Sequence, residues 1–264
     1  MEKLMITATT ANSWIYPDLK NWAQDDDHLV KDAVDCAKAG AAIVHVHLPR
    51  GRENSIVERI RAQTDALIQA GMSSESIPQR KGDFEAKPDM MSVILNHHAE
   101  HFTGIQVDRV HSLEELEQYC ILFRESGIRP EWEVWNTGSL WNLAYLRKKG
   151  LISTPVIMTL FFGWPGGTWS PPTAEEFFHR VRHVPTDGAY AVSAMGEEQT
   201  LLAMLSIASG GHVRVGTEDW PFIRPGEKAT NNATLVARMA RIARELGREV
   251  ATPTEARRIL KLDT

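Results

Sequence analysis

A chain of 264 residues with 43% apolar and 24% charged side chains has the makeup of one large α/β domain or two small ones. A formal charge of −5 with no basic run argues against nucleic-acid binding, and no apolar run reaches the roughly 20 residues of a membrane span. Cys36 and Cys120 have no CxxC spacing and the opening MEKLMITATTAN lacks the apolar core of a secretion signal, so a disulfide framework is not expected and a cytoplasmic protein is.

In chain order, Lys3–Thr9 reads as a buried strand, and His28–Gly40 has helical spacing ending on a glycine suited to a C-cap. Ala41–His47 is a second strand and Ser55–Gln63 a helix. Asp65–Gly71 either extends that helix or forms a third strand. Residues 73–88 are the longest irregular stretch and read as a loop. Asp89–Leu95 is a fourth strand, and Ser112–Gly127 a helix that opens with an S-x-x-E capping box and closes on glycine. Arg129–Asn136 is a fifth strand, followed by a helix to Lys149, and Thr154–Phe162 is a sixth. A helix at Thr173–Val184, a strand at Gly188–Ala194, a helix at Glu197–Ser209, a strand at His212–Gly216 and an amphipathic helix at Asn232–Gly247 complete the pattern. Eight alternations of this kind predict an α/β fold, a single (β/α)8 TIM barrel over residues 1–264. A doubly wound sheet is the runner-up, and no G-x-G-x-x-G or Walker sequence supports it.

A TIM barrel gathers its functional groups at the C-terminal ends of its strands. The second strand ends in HVH, and residues two apart on a strand point the same way, so His45 and His47 share a face. Two imidazoles and a carboxylate make a divalent-metal site, commonly zinc. The eighth strand runs into Glu218 and Asp219, which reach the same end of the barrel. Arg214 alternates with His212 and Gly216 on that strand; an interior arginine needs an acid, and Glu133 in PEWEVWN is the candidate. Asp219 beside such a pair and a metal is suited to abstract a proton. Each feature also has an ordinary meaning: core histidines, an Arg–Glu brace, a solvated Glu-Asp turn.

VHVH, RPEWEV, GGHVRVGTED and the tail LVARMARIARELGREVATPTEARRIL, with KLMITA and AKPDMMS, resemble the β-keto acid cleavage enzymes, the family of 3-keto-5-aminohexanoate cleavage enzyme. The resemblance covers nearly the whole chain. It implies a zinc-dependent barrel, usually tetrameric, that converts a β-keto acid and acetyl-CoA into acetoacetate and a new acyl-CoA. By the same resemblance His45, His47 and Glu218 hold the Zn2+, Asp219 is the general base, and Arg214 with Glu133 tunes it.

The chain departs from the aminohexanoate-cleaving members at substrate-reading positions. Trp14 stands where they carry an acid near the end of strand one. AGMSS, with Gly71 and Ser74, replaces their STGG, and LNHHAEHF places His97 about where a threonine is expected. Trp14, Trp135 and Trp164 near strand ends are candidates for an apolar pocket wall. The substrate expected is therefore a β-keto acid with a neutral or apolar side chain. Two other readings stay open: a zinc hydrolase of the H-x-H barrel type, disfavoured because TPVIMTLFF offers no histidine, and a non-catalytic paralogue that binds a metabolite.

Overall fold

A computed structural model describes residues 1–10, 25–100, 107–163 and 165–262. Eight strands form its central layer: β1 (Ile6–Thr9), β2 (Ile43–Val46), β3 (Leu67–Ala70), β4 (Met90–Ile94), β5 (Arg129–Val134), β6 (Val156–Phe162), β7 (Gly188–Ala194) and β8 (His212–Gly216). They pair in parallel in the order 1-8-7-6-5-4-3-2 and close into a barrel, with Thr7 level with both Ile43 and Arg214 where the ends meet. The helices are α1 (Asp26–Ala39), α2 (Glu53–Arg61), α3 (Lys81–Ala86), α4 (Leu113–Ser126), α5 (Thr137–Lys148), α6 (Ala174–Val181), α7 (Gln199–Ala208), α8 (Asn232–Glu245) and α9 (Pro253–Leu260). The single TIM barrel expected from the alternation is the fold observed. Among the described residues no helix is long and apolar enough to cross a membrane.

Local chemistry explains most boundaries. Asp25, Ser112, Asn136, Thr173 and Asn231 each accept a backbone N–H from the first turn of the helix they precede, which satisfies a donor the helix itself cannot. α9 has the full capping box, Thr252 with Glu255, and Pro253 in its first turn. Its Ala256 and Leu260 plug the N-terminal end of the barrel against Met5, Ile43, Leu67, Met90 and Ile157. Above that apolar floor the interior turns polar: Thr7, Gln69, Glu131 and Thr159 line a chamber of about 20 Å3. The floor anchors the barrel, and the polar layer supports what stands at its C-terminal mouth.

Three details differ from the sequence reading or resolve it. Asp65–Gly71 contains β3 rather than a helix extension. Residues 73–88 are not wholly a loop, since α3 lies within them, too short to display a helical period. Two hairpins also escape notice: His97–Glu100 pairs with Val107–Val110 after β4, and Phe222–Arg224 pairs with Glu227–Lys228 after β8.

Candidate active site

The end of β2, the end of β3 and the turn after β8 converge at the barrel mouth. His45 Nε2 lies 3.6 Å from Glu218 Oε2, and His47 Nε2 lies 3.3 Å from Glu218 Oε1. Ligand atoms of the three residues all fall within 4.8 Å of one another. Gln69 Oε1 accepts from His45 Nδ1 at 2.7 Å, which places the ring proton on Nδ1 and leaves the Nε2 lone pair facing Glu218. Burial, with the Arg214 cation second, pushes His45 down to about 3, so the ring is neutral at ordinary pH.

This donor set fits a divalent cation. Glu218 Oε2 is buried without a hydrogen-bond partner, and a lone pair and a carboxylate oxygen otherwise face each other there. Gly71 supplies the room: a Cβ at that position would lie 2.3 Å from His47 Cδ2 and 2.7 Å from His45 Nε2. Glu218 is 5% exposed. Burial alone would raise its pKa, but Arg214 and the two histidines outweigh burial and hold it below the usual carboxylate range.

Arg214 is engaged differently from the sequence expectation. Its Nε and Nη2 donate to Asp219 Oδ2 and Oδ1, each at 3.0 Å, and Nη2 lies 3.2 Å from Glu218 Oε1. The fork closes on the acid five residues along its own turn, not on Glu133, because bidentate geometry suits the adjacent carboxylate. Ser193 Oγ also donates to Asp219 Oδ2, at 2.8 Å. Asp219 is fully buried, and burial raises its pKa despite Arg214. Glu133 stands on the cavity wall instead, its Oε2 accepting from Ser73 Oγ at 2.7 Å and Trp135 Nε1 at 3.2 Å.

The cavity at this mouth holds about 280 Å3. Its lining combines the polar His45, His47, Glu218, Arg214 and Glu133 with the apolar Trp135, Phe161, Met195, Met72 and Val107, and with Ser73, Ser74 and His98. The two sets touch: Trp135 donates to Glu133, and the Arg214 guanidinium carbon lies 4.9 Å from the Phe161 ring centroid. Trp135 stacks on Phe161 with centroids 4.2 Å apart, while Trp169 meets it edge-on at 4.3 Å and His98 lies at 4.1 Å. His97 does not reach the cavity. It is exposed and lies 3.0 Å from Asp108 across the hairpin, and its neighbour His98 points inward because successive strand residues face opposite sides. Trp14 and Trp164 lie outside the described residues. Sequence reasoning passed over Gln69, Ser73 and Ser193; Gln69 sits at an inward position of β3, a signal available in its alternation. His212 accepts the Met5 N–H at Nδ1, 3.1 Å away, and so ties β8 to the approach of β1.

A parallel barrel that gathers two histidines, three carboxylates and an arginine at its C-terminal mouth defines an enzyme of the TIM-barrel class. The chain belongs to the beta-keto acid cleavage enzyme family, whose model matches residues 24–262. It is 33% identical to the 3-keto-5-aminohexanoate cleavage enzyme of Acetoanaerobium sticklandii, over 98% of both chains. It is 28% identical to the 3-dehydrocarnitine:acetyl-CoA trimethylamine transferase of Rhizobium meliloti, over 89% of this chain and 88% of that one. The apo structure of ObcA shares the fold with a TM-score of 0.75 at 16% identity; the match covers 89% of this chain, which spans 64% of that protein's length.

Proposed function

We propose that this protein transfers the acyl group of a β-keto acid to CoA, using acetyl-CoA and releasing acetoacetate. The observation that carries the reading is the cluster of His45, His47 and Glu218 around the space kept by Gly71, with the Arg214–Asp219 pair directly behind it. A divalent cation, Zn2+ by preference, held by those three residues supplies Lewis acidity toward the keto and carboxylate oxygens. Asp219 takes a proton from the carbon between them. The carbanion attacks the acetyl thioester, forming a carbon–carbon bond and expelling CoA thiolate. That thiolate adds to the original keto carbon, the older carbon–carbon bond breaks, and acetoacetate and the new acyl-CoA result, with the proton returned to acetoacetate.

Arg214 stands between Asp219 and the cavity. For Asp219 to act, the guanidinium gives up one oxygen, and Glu133, which already acts on it through space, is the wall carboxylate able to receive it. Ser73 and Trp135 hold Glu133 in place for that role. Tetramer formation is part of the proposal by family resemblance, and a cytoplasmic setting is part of it from the cysteine usage and the opening sequence.

The substrate side chain is neutral. Among the described residues that line the cavity, the carboxylates are Glu133 and Glu218, and both are already engaged, Glu133 by Ser73 and Trp135 and Glu218 by Arg214 and the two histidines. An ammonium group would find no uncommitted acid there. A panel of β-keto acids with acetyl-CoA, read by acetoacetate formation, is expected to favour neutral alkyl or aryl side chains over 3-keto-5-aminohexanoate by about tenfold or more in kcat/KM. Preference for the amino substrate would overturn this assignment.

A further inference from the structure

The turn that carries Glu218 and Asp219 is tied to two helices by residues that touch neither the cavity nor the proposed metal ligands. The Thr217 N–H donates to Asn232 Oδ1 at 2.7 Å. Asn232 is the first residue of α8, 1% exposed, and its Nδ2 donates to Asp32 Oδ2 of α1 at 2.5 Å. The turn closes on itself as the N–H groups of Asp219 and Trp220 donate to Gly216 O at 3.2 and 2.9 Å. A peptide N–H only donates and a carboxylate only accepts, so one orientation of the Asn232 amide satisfies both neighbours.

Neither residue caps α8 or belongs to the apolar contact between α1 and α8. Asn231 already caps α8, accepting the Thr234 N–H. α1 and α8 meet through one apolar core, with Leu29, Val30 and Ala33 from one and Val236, Met239 and Ala240 from the other. Asp32 sits half-buried beside that core. Among the described residues no cation pairs with it, since Lys31 is committed to Asp35. Burial holds the Asp32 carboxyl up at about 6, with Asn232 as its opposing hydrogen-bond donor and Asp35 and Lys31 as its charged neighbours. A helix–helix seam gains nothing from such a group unless the bond it makes is used.

We propose that Asp32 and Asn232 form a positioning relay. The carboxylate orients the amide, the amide fixes the Thr217 N–H, and the turn so held presents Glu218 to His45 and His47. The proposal rests on reading those three residues as a metal site. Both relay members are positioning residues, and the quantity they set is metal affinity.

The test is the zinc dissociation constant of the purified full chain, measured by competition with a chromophoric chelator, beside thermal melting of the zinc-free protein. Asn232→Asp sets two carboxylates face to face and is expected to weaken zinc binding by about tenfold, the range seen when a supporting partner of a ligand is lost. Adding Asp32→Asn exchanges donor for acceptor and is expected to restore affinity to within about threefold of wild type, because the two residues act as a coupled pair. Asn232→Ala removes both bonds, weakens binding similarly, and is not rescued by Asp32→Asn. Unchanged affinity in Asn232→Ala, or a loss in Asn232→Asp that the double variant does not recover, overturns the relay. Should Asn232→Asp fail to fold, the alanine pair decides. A wild type that binds no zinc, or a His47→Ala variant that binds it as tightly, refutes the metal site itself.

Discussion

At Gly71 a hydrogen in place of a methyl decides whether two imidazoles can converge. Gly71→Ala places carbon 2.3 Å from His47 Cδ2 and 2.7 Å from His45 Nε2, so both rings must shift. Zinc affinity is expected to fall by about tenfold or more, and urea unfolding to register about 1–3 kcal/mol of overpacking strain. Unchanged affinity would mean that the rings yield without disturbing the ligand set. Much of this site is legible residue by residue. The period-two rule aligns His45 with His47, and strand position brings Glu218 to the same end. What alternation cannot reveal is partner choice. Arg214 selects Asp219 because a turn folds that carboxylate back onto the guanidinium, a contact set by backbone path rather than by strand register. The His97 and His98 assignments exchange for a related reason: in a hairpin, an offset of one residue moves a side chain to the other face.

Elements set the walls around these residues. Arg180 of α6 is fully buried and donates to Val134 O at the end of β5 and Phe161 O near the end of β6. Burial pushes its guanidinium down to about 9, against the Glu176 carboxylate, which acts the other way. Its guanidinium carbon lies 4.5 Å from the ring centroid of Phe162, the residue after the Phe161 that stacks on Trp135, so α6 fastens the aromatic wall from behind. Arg180→Met leaves two buried carbonyls unpaired and is expected to cost on the order of 3 kcal/mol in chemical unfolding, with a further loss in kcat/KM from a loosened wall. A variant as stable as wild type would show that water or neighbouring donors replace the guanidinium. Amphipathic helices and buried strands of the barrel are legible because each has a period and an end signal. The paired segments His97–Glu100 and Val107–Val110 are not, because they are only four residues each and mix polar with apolar side chains. α3 is hidden by its six residues.

For the whole molecule, the alternation of strands and helices agrees with the closed barrel, and the motif resemblance agrees with the family. The interior charge arrangement lay beyond reach, since it depends on which inward residues share a level. Glu131 occupies the polar layer below the mouth, buried, with Thr159 beside it as its hydrogen-bonding neighbour. Burial, reinforced by Glu133, raises its pKa to about 8. A carboxyl held above its ordinary value is protonated in the folded chain and ionised in the unfolded one between about pH 4.5 and 8. Its contribution to stability is therefore present below that window and lost as pH rises through it. Glu131→Gln is expected to gain stability relative to wild type between pH 5 and pH 8 by on the order of 3 kcal/mol, read from urea unfolding at each pH; a difference that stays flat with pH would contradict the assignment. The central claim concerns the mouth above it. Its most direct test is simultaneous measurement of acetoacetate and acyl-CoA formed from a neutral β-keto acid and acetyl-CoA by wild type, Glu218→Ala and Asp219→Asn. The account predicts equal amounts of the two products from wild type, none from either variant, and bound zinc retained in Asp219→Asn alone of the two. Turnover without acetyl-CoA, or full activity in both variants, would contradict it.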